Sequence, residues 1–578
     1  MKRSRFFEFM SIIEHLSEII IIKGRRSDMK QINTVRDILE SSSQNYTNRT
    51  AFVLRDSQGA ENKISYSKFM RDTDALVLAL TEKLGLHRKH IGIMGDNSYF
   101  WCVSYFAVLS SDSVAVPLDK DNPADETAEL MKFGDVSVLI CDGKSARKIA
   151  EHTDEHILII CSDSTDDGRM ISLEALLEYG HKTLGEGKRP ARNTDPDAMA
   201  VLLFTSGTTG VAKGVMLSNR NIVSDLKAVS GNVNISYEDR SLSVLPLHHT
   251  YESISVLMVL SCGGTVCFAS SFRNLSADFL FFRPTVLVCV PLLLEKLGRR
   301  IEKEIERRGA KGRSRIFSVV SGFVSEDSRR KAFSAIHEKF GGRLKKIIVG
   351  AAPCSKDTVE KFEMYGFRVI IGYGLTECSP IVICNSDIER KSNSIGKALK
   401  CAEVKISGAD ENGVGEITVK GPMVMLGYYK NTEETQKVLR DGWLYTGDLG
   451  YADKEGFYYI TGRKKNIIVT SGGKNIYPEE IEYHLLKSPL IAECMVYGES
   501  DKEITAEIVP DTEEMKRKSK SERLTDEQIR LYTEAVVNTV NKKLPPYKRI
   551  KNITIRETEF EKTSTRKIKR HRHRGGGD

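Results

Sequence analysis

The sequence predicts an α/β protein: a large, multi-layered N-terminal domain with mostly parallel sheets, followed by a small α+β C-terminal domain. Two observations predict it. Between residues 29 and 196, helical patterns alternate with short apolar runs at 91–94, 114–117 and 138–141, and strands that alternate with helices assemble into parallel sheets covered by those helices. Beyond about residue 466 the pattern becomes a compact series. It holds apolar residues at 467–469, a glycine-led segment at 472–478, a helix at 479–486, strands at 493–497 and 505–509, and a helix at 526–544. The expected organisation is an amphipathic extension at 1–28, the large domain at 29–464, the small domain at 465–570, and a basic, glycine-rich tail at 571–578.

A chain of 578 residues with 40% hydrophobic content can bury several subdomains and has the size of an enzyme rather than a small binding module. Its 86 basic and 78 acidic residues give a net charge of +8 at pH 7, with much of the excess near the two ends. The balanced middle offers no footprint for nucleic acid. The 11 cysteines are scattered, odd in number and mostly set in apolar runs, without a CxxC or Cys/His spacing suited to zinc. That usage disfavours a disulfide framework and fits a reducing cytoplasm.

In the extension, Phe6, Phe9, Ile13, Leu16 and Ile20 recur at three- and four-residue steps, with Glu8, Glu14 and Glu18 elsewhere. This is an amphipathic helix pattern. Glu14 and Glu18 interrupt any signal-peptide core, and no apolar stretch approaches a membrane span. Peripheral contact with a lipid surface, docking on the protein's own surface, and an extension upstream of a start at Met29 all fit this pattern.

The apolar run 198–204 reads as a buried strand, and Ser218 or Asn219 opens a helix-compatible stretch. Between them lies Thr-Ser-Gly-Thr-Thr-Gly-Val-Ala-Lys-Gly-Val at 205–215. A strand, a loop of small hydroxyl residues and glycines, and a helix make a sensible cradle for phosphate. Glycines let backbone N–H groups approach oxyanions, the hydroxyls of Thr205, Ser206, Thr208 and Thr209 add donors, and Lys213 adds charge. A Walker loop is excluded, because Gly207 and Gly210 stand too close together and Ala212 precedes Lys213 where that motif needs glycine.

The loop instead resembles the phosphate-binding signature of the adenylate-forming superfamily, which holds acyl-CoA synthetases, luciferases and peptide-synthetase adenylation domains. Other segments follow in that family's order. Two histidines in Leu-Pro-Leu-His-His-Thr-Tyr-Glu at 245–252 could be a packed and a solvated loop residue; neighbours in sequence cannot easily aim at one ion. The resemblance places His249 at the carboxylate pocket. The basic run 299–315 reads as a solvated helix face, and the extra length between Glu295 and Gly341 resembles the long-chain fatty acyl-CoA synthetase branch.

Gly-Tyr-Gly-Leu-Thr-Glu at 372–377 follows the strand 367–371 and could be a tight turn. It resembles the family's second nucleotide motif. That implies Tyr373 on the adenine, Thr376 at the α-phosphate and Glu377 at Mg²⁺, consistent with the preference of Mg²⁺ for carboxylate and phosphate oxygen. Asp448 in Thr-Gly-Asp is by default a turn-former; the resemblance gives it the ribose hydroxyls, with Arg463 in support.

The resemblance also implies a hinge at Lys465, about which a mobile small domain turns between two half-reactions. The charged stretch 513–523 is expected as a surface excursion. The segment 562–570 reads either as a basic tail or, by resemblance, as the last family motif, whose lysine is Lys567 and touches the reacting carboxylate. Arg566 and Glu561 depart from the glycine and proline common there.

The resemblance covers roughly residues 29–570. It implies an acid–CoA ligase that takes ATP, Mg²⁺, CoA and a fatty acid of long chain, proceeds through acyl-AMP, and contacts no nucleic acid. Two other readings remain: an adenylating enzyme with another acid or with an acyl carrier protein as acceptor, and a non-catalytic lipid-binding relative.

Overall fold

The computed structural model describes residues 32–163, 170–191, 195–205, 212–307, 325–469, 475–498, 503–562, 568 and 570. The expectations for the extension at 1–28 and the tail at 571–578 lie outside these residues. The chain forms two compact units, one comprising residues up to 203 with 216–241 and 252–268, the other comprising 204–215, 242–251 and 269 onward.

In the first unit the apolar runs become strands of one sheet. Met170–Ser172, Leu158–Cys161, Val136–Cys141, His90–Met94, Val114–Leu118 and Met199–Thr205 lie side by side in that order, with parallel pairing throughout. Val114–Leu118 is buried along its whole length, as a strand covered on both faces must be. Thr50–Arg55 pairs with Glu61–Ser65 antiparallel and with Thr265–Phe268 parallel. Helices start where hydroxyls cap them: Ser65 for Tyr66–Leu78, Ser98 for Tyr99–Leu109 and Ser172 for Leu173–Gly185.

The second unit carries a parallel set, Val286–Cys289, Lys346–Val349 and Arg368–Gly374, in register Val286 to Lys346 to Arg368. Ile381–Cys384 then runs back antiparallel along Arg368–Gly374. A separate antiparallel sheet joins Glu403–Ser407, Gly415–Lys420, Trp443–Ala452 and Tyr458–Arg463. The C-terminal part is the smaller α+β layer: Ile491–Gly498 antiparallel to Ile504–Pro510, which is parallel to Asn552–Ile555. The parallel step needs a long crossover, supplied by the helix Asp526–Asn541. Ile481, Leu485, Val537 and Val540 close the core beneath Ile491, Val496 and Ile508.

The charged segment 513–523 lies at the surface as expected, and most of it is ordered as the helix Thr512–Ser519, capped by Asp511, with Met515 0% exposed and Glu513, Arg517 and Lys518 exposed. One expectation is corrected. The strand–loop–helix at 198–218 contains a second strand, Lys213–Ser218, before the helix Asn219–Val229. Ser218 caps that helix in a box with Asn221. Among the described residues no helix is long and apolar enough to cross a membrane.

Candidate functional site

Three predicted residues meet at one carboxylate. Tyr373 lies near the end of the buried strand Arg368–Gly374 and is 7% exposed. Its hydroxyl donates to Asp448 Oδ2 at 2.8 Å. Asp448, 5% exposed, sits on Trp443–Ala452 directly opposite Arg463 of Tyr458–Arg463. Arg463 Nε meets Asp448 Oδ1 at 2.8 Å. Each oxygen of this carboxylate is therefore held by a different donor, the fully satisfied state a buried charge requires.

The turn behind Asp448 fixes its direction. The Asp448 N–H donates to Thr446 Oγ1 at 3.1 Å, and that hydroxyl donates to the Ile417 carbonyl at 2.7 Å. Gly447 takes a left-handed φ of 72°, and its N–H donates to Glu416 Oε1 at 3.0 Å. Burial, followed by the Asp448 charge, drives the Tyr373 phenol far above its ordinary range, so it stays a donor. Asp448 raises the already high pKa of Arg463, and Glu377 adds to that effect.

A second cluster surrounds Glu377. Thr376 and Glu377 lie on the short 3₁₀ turn Thr376–Cys378, both half-buried. The Tyr428 hydroxyl donates to Glu377 Oε1 at 2.9 Å, and the Met425 N–H donates to the Glu377 carbonyl at 2.8 Å. Lys213 Nζ lies 5.1 Å from the Tyr428 ring centroid and 2.5 Å from Glu434 Oε1. Thr205 and Lys213 flank the glycine-rich loop, with Thr205 Oγ1 3.5 Å from the Lys213 carbonyl. Ser206, Gly207, Thr208, Thr209, Gly210 and Lys567 lie outside the described residues.

His249 is in the turn ahead of the helix Thr250–Ser261. Its N–H donates to the Pro246 carbonyl at 3.1 Å, and its ring centroid is 4.2 Å from that of His248. Lys465 is exposed at the centre of the 3₁₀ turn Lys464–Asn466. Its neighbours face different elements: Lys464 Nζ reaches Glu416 at 2.8 Å, and Asn466 Nδ2 reaches Glu479 at 2.6 Å. Tyr428, Glu434 and Thr446 were not anticipated from sequence. The Gly-Tyr-Tyr at 427–429 beside paired acids was the available signal.

Comparison with known proteins follows the same lines. A family model described as AMP-binding enzyme matches residues 39–429, and one described as AMP-binding enzyme C-terminal domain matches 465–574. Long-chain-fatty-acid–CoA ligase 5 of Rattus norvegicus is 32% identical over 459 residues, covering 74% of this chain and 67% of the relative. Fatty acyl-CoA synthetase B of Dictyostelium discoideum is 28% identical over 525 residues, covering 83% and 77%. The structure of O-succinylbenzoate Coenzyme A synthetase from Bacillus subtilis, in complex with ATP and magnesium ion, shares the fold with a TM-score of 0.69. It is 22% identical, with 92% of this chain and 98% of that one covered. With more than half its length matched by one family model and its C-terminal part by the partner model, the chain belongs to the AMP-binding enzyme family.

Proposed function

We propose that the protein is an ATP-dependent, AMP-forming acid–CoA ligase that activates a fatty acid, of long chain, as acyl-AMP and transfers it to CoA. The observation that carries this reading is the buried Asp448 carboxylate, gripped by Tyr373 and Arg463, in a chain whose relatives are named as fatty acyl-CoA ligases. A carboxylate so oriented can exchange its present donors for the two hydroxyls of a ribose.

In this reading the fatty acid carboxylate attacks the α-phosphorus of ATP and pyrophosphate leaves. The activated acyl group then passes to the CoA thiol, and AMP leaves. Oxide is a poor leaving group from a carboxylate and AMP a good one, which is the chemical purpose of the intermediate. No protein nucleophile is required; this chain's residues position and neutralise. Tyr373 packs at the base, Asp448 and Arg463 hold the ribose, Thr376 and Lys567 face the α-phosphate, the loop from Thr205 to Lys213 receives the β- and γ-phosphates, and His249 borders the acid.

Glu377 suits Mg²⁺. Its carboxylate is oriented by Tyr428, and no group of three or more His, Cys, Asp or Glu among the described residues forms a self-sufficient metal cage. That donor set fits an ion that keeps phosphate and water oxygens; the ion would supply neutralisation of phosphate charge. The small domain turns at Lys465 between the two steps. The cysteine usage supports a cytoplasmic setting, and the amphipathic pattern at 1–28 supports peripheral contact with lipid.

The test is a panel of carboxylic acids, short to long and aromatic, assayed for CoA-dependent AMP release. Long-chain fatty acids are expected to lead. Release with holo-carrier protein but not with CoA would replace the acceptor. Absence of ATP–pyrophosphate exchange with every acid would overturn the ligase reading.

A further inference from the structure

We infer that Glu434 and Tyr428 are positioning residues for phosphate chemistry: Glu434 aims Lys213, Tyr428 aims Glu377, and the single Tyr428 side chain couples the two. The inference rests on the ligase reading above and assigns it two residues outside its sequence motifs.

Four side chains form one continuous series. Glu434 Oε1 accepts from Lys213 Nζ at 2.5 Å, Lys213 Nζ lies 5.1 Å from the Tyr428 ring centroid, and the Tyr428 hydroxyl donates to Glu377 Oε1 at 2.9 Å. The ammonium thus rests between an anion and the electron-rich face of a ring, a pairing that restricts an otherwise flexible four-carbon stem. Lys213 holds the Glu434 carboxyl below its ordinary range, so the pair is ionic at neutral pH. One ammonium N–H engages Glu434, and an ammonium has three. The others can serve phosphate oxygens without breaking the pair.

The backbone gives these side chains little freedom to drift. The Tyr429 N–H donates to the Gly214 carbonyl at 2.7 Å, fastening the strand that carries Lys213 to the one that carries Tyr428. The Tyr428 N–H donates to Thr435 Oγ1 at 2.8 Å, and the Glu434 N–H donates to Asn431 Oδ1 at 3.0 Å. On the far side, the Met425 N–H holds the Glu377 carbonyl. Lys213, Tyr428, Glu434 and Glu377 are thereby tied through three short segments distant in sequence. The Tyr428 hydroxyl, donating to Glu377 Oε1, fixes the plane of the Glu377 carboxylate.

A purely mechanical staple would make the same contacts, but it would act on both half-reactions. Positioning of Lys213 and Glu377 acts only while the β- and γ-phosphates and their cation are present. In Glu434→Ala, KM for MgATP is expected to rise and ATP–pyrophosphate exchange to fall about tenfold or more. Conversion of supplied acyl-AMP and CoA to acyl-CoA should stay within about twofold of the wild type, as expected of an interaction used in one step only. Glu434→Gln, which keeps an acceptor for Lys213, should recover part of the loss.

Tyr428→Phe keeps the ring beside Lys213 and removes the donor to Glu377. It is expected to raise the Mg²⁺ concentration for half-maximal exchange and to weaken Mn²⁺ binding in the presence of a non-hydrolysable ATP analogue, read by electron paramagnetic resonance. Equal losses in both half-reactions, or unchanged exchange and Mn²⁺ binding, would overturn the inference. If the wild type performs no exchange with any acid, the ligase reading fails, and the Mn²⁺ titration still decides whether Tyr428 orients Glu377.

Discussion

Asp448 and Arg463 face each other across two antiparallel strands, with Arg463 Nε 2.8 Å from Asp448 Oδ1, while Tyr373 holds the other oxygen at 2.8 Å. Replacing the carboxylate removes the acceptor that both donors share. Hydrogen bonds to charged groups contribute about 1.5–3 kcal/mol, and about 1.4 kcal/mol is a factor of ten in affinity. Asp448→Ala is therefore expected to raise KM for ATP by roughly 10- to 100-fold, and Asp448→Asn by less, because its amide oxygen still accepts from one donor. AMP binding by calorimetry checks the same point. Unchanged affinity for AMP in both variants would remove Asp448 from the nucleotide site.

Gly374 follows Tyr373 where the chain presses against the returning strand Ile381–Cys384. A Cβ added there would lie 1.7 Å from the Pro380 carbonyl oxygen, a backbone atom that cannot swing aside. Gly374→Ala must push the two strands apart and carry Tyr373 with them. Overpacking costs about 1–3 kcal/mol and occasionally more, and a backbone clash belongs at the upper end. Gly372→Ala is the control, since its nearest atom outside the local chain, Cys384 Cβ, is at an ordinary 3.7 Å. The midpoint of urea unfolding should fall strongly in the first variant and little in the second.

His337 sets a pH dependence of stability. It is 4% exposed, its Nε2 is 2.8 Å from the Tyr365 carbonyl, and its ring lies against Phe367 at 4.2 Å. Burial lowers its pKa from the ordinary imidazole value, opposed by the Tyr365 carbonyl and aided by Arg330. The unfolded chain therefore takes up a proton first as pH falls. The stability of the neutral ring is complete above about pH 6.5 and declines below it, toward the depressed value in the folded state. His484 is shifted in the same direction by burial and by Lys487, so the wild type has two sources of loss. Comparing thermal midpoints at pH 7.5 and 5.5, His337→Gln should show the smaller drop, since its amide can still donate to Tyr365 and does not titrate. An equal drop would mean that folding leaves the His337 pKa unshifted.

The parallel strands and the C-terminal layer were legible because their apolar runs are short, separate and of strand length. Tyr373, Asp448 and Arg463 stood out because each lies inside a short motif. Their meeting at one carboxylate could not be read, since it depends on the register that sets Asp448 opposite Arg463. Glu434 was illegible for another reason. Acids in the first turn of a helix such as Thr432–Val438 are explained by the helix dipole alone, and its partner Lys213 lies 221 residues away. Met515, one apolar residue among charges, carries no period from which a packed helix could be inferred. The strand at Lys213–Ser218 runs directly into a helix cap, leaving no punctuation between the two elements.

Lys465 stands between a residue bonded to Glu416 on the antiparallel sheet and a residue bonded to Glu479 on the helix Pro478–Leu486. The turn Lys464–Asn466 lies in the chain between that sheet and the helix Pro478–Leu486, which makes it the proposed pivot of the small domain. Proline at 465 would disfavour the helical backbone of Lys464, because a residue before proline is pushed toward extended angles, and it would fix φ at its own position. Lys465→Pro is therefore expected to narrow the range of turn conformations, while Lys465→Ala leaves the backbone free. If the hinge serves only the passage from adenylate to thioester, ATP–pyrophosphate exchange in Lys465→Pro should stay within a few fold of wild type. Conversion of preformed acyl-AMP by CoA should fall about tenfold or more, because the gating motion rather than the chemistry is impaired. Lys465→Ala should support both steps. Equal losses in the two half-reactions of the proline variant, or a comparable loss of thioester formation in the alanine variant, would place the pivot elsewhere and leave residue 465 with a role in its side chain rather than its backbone.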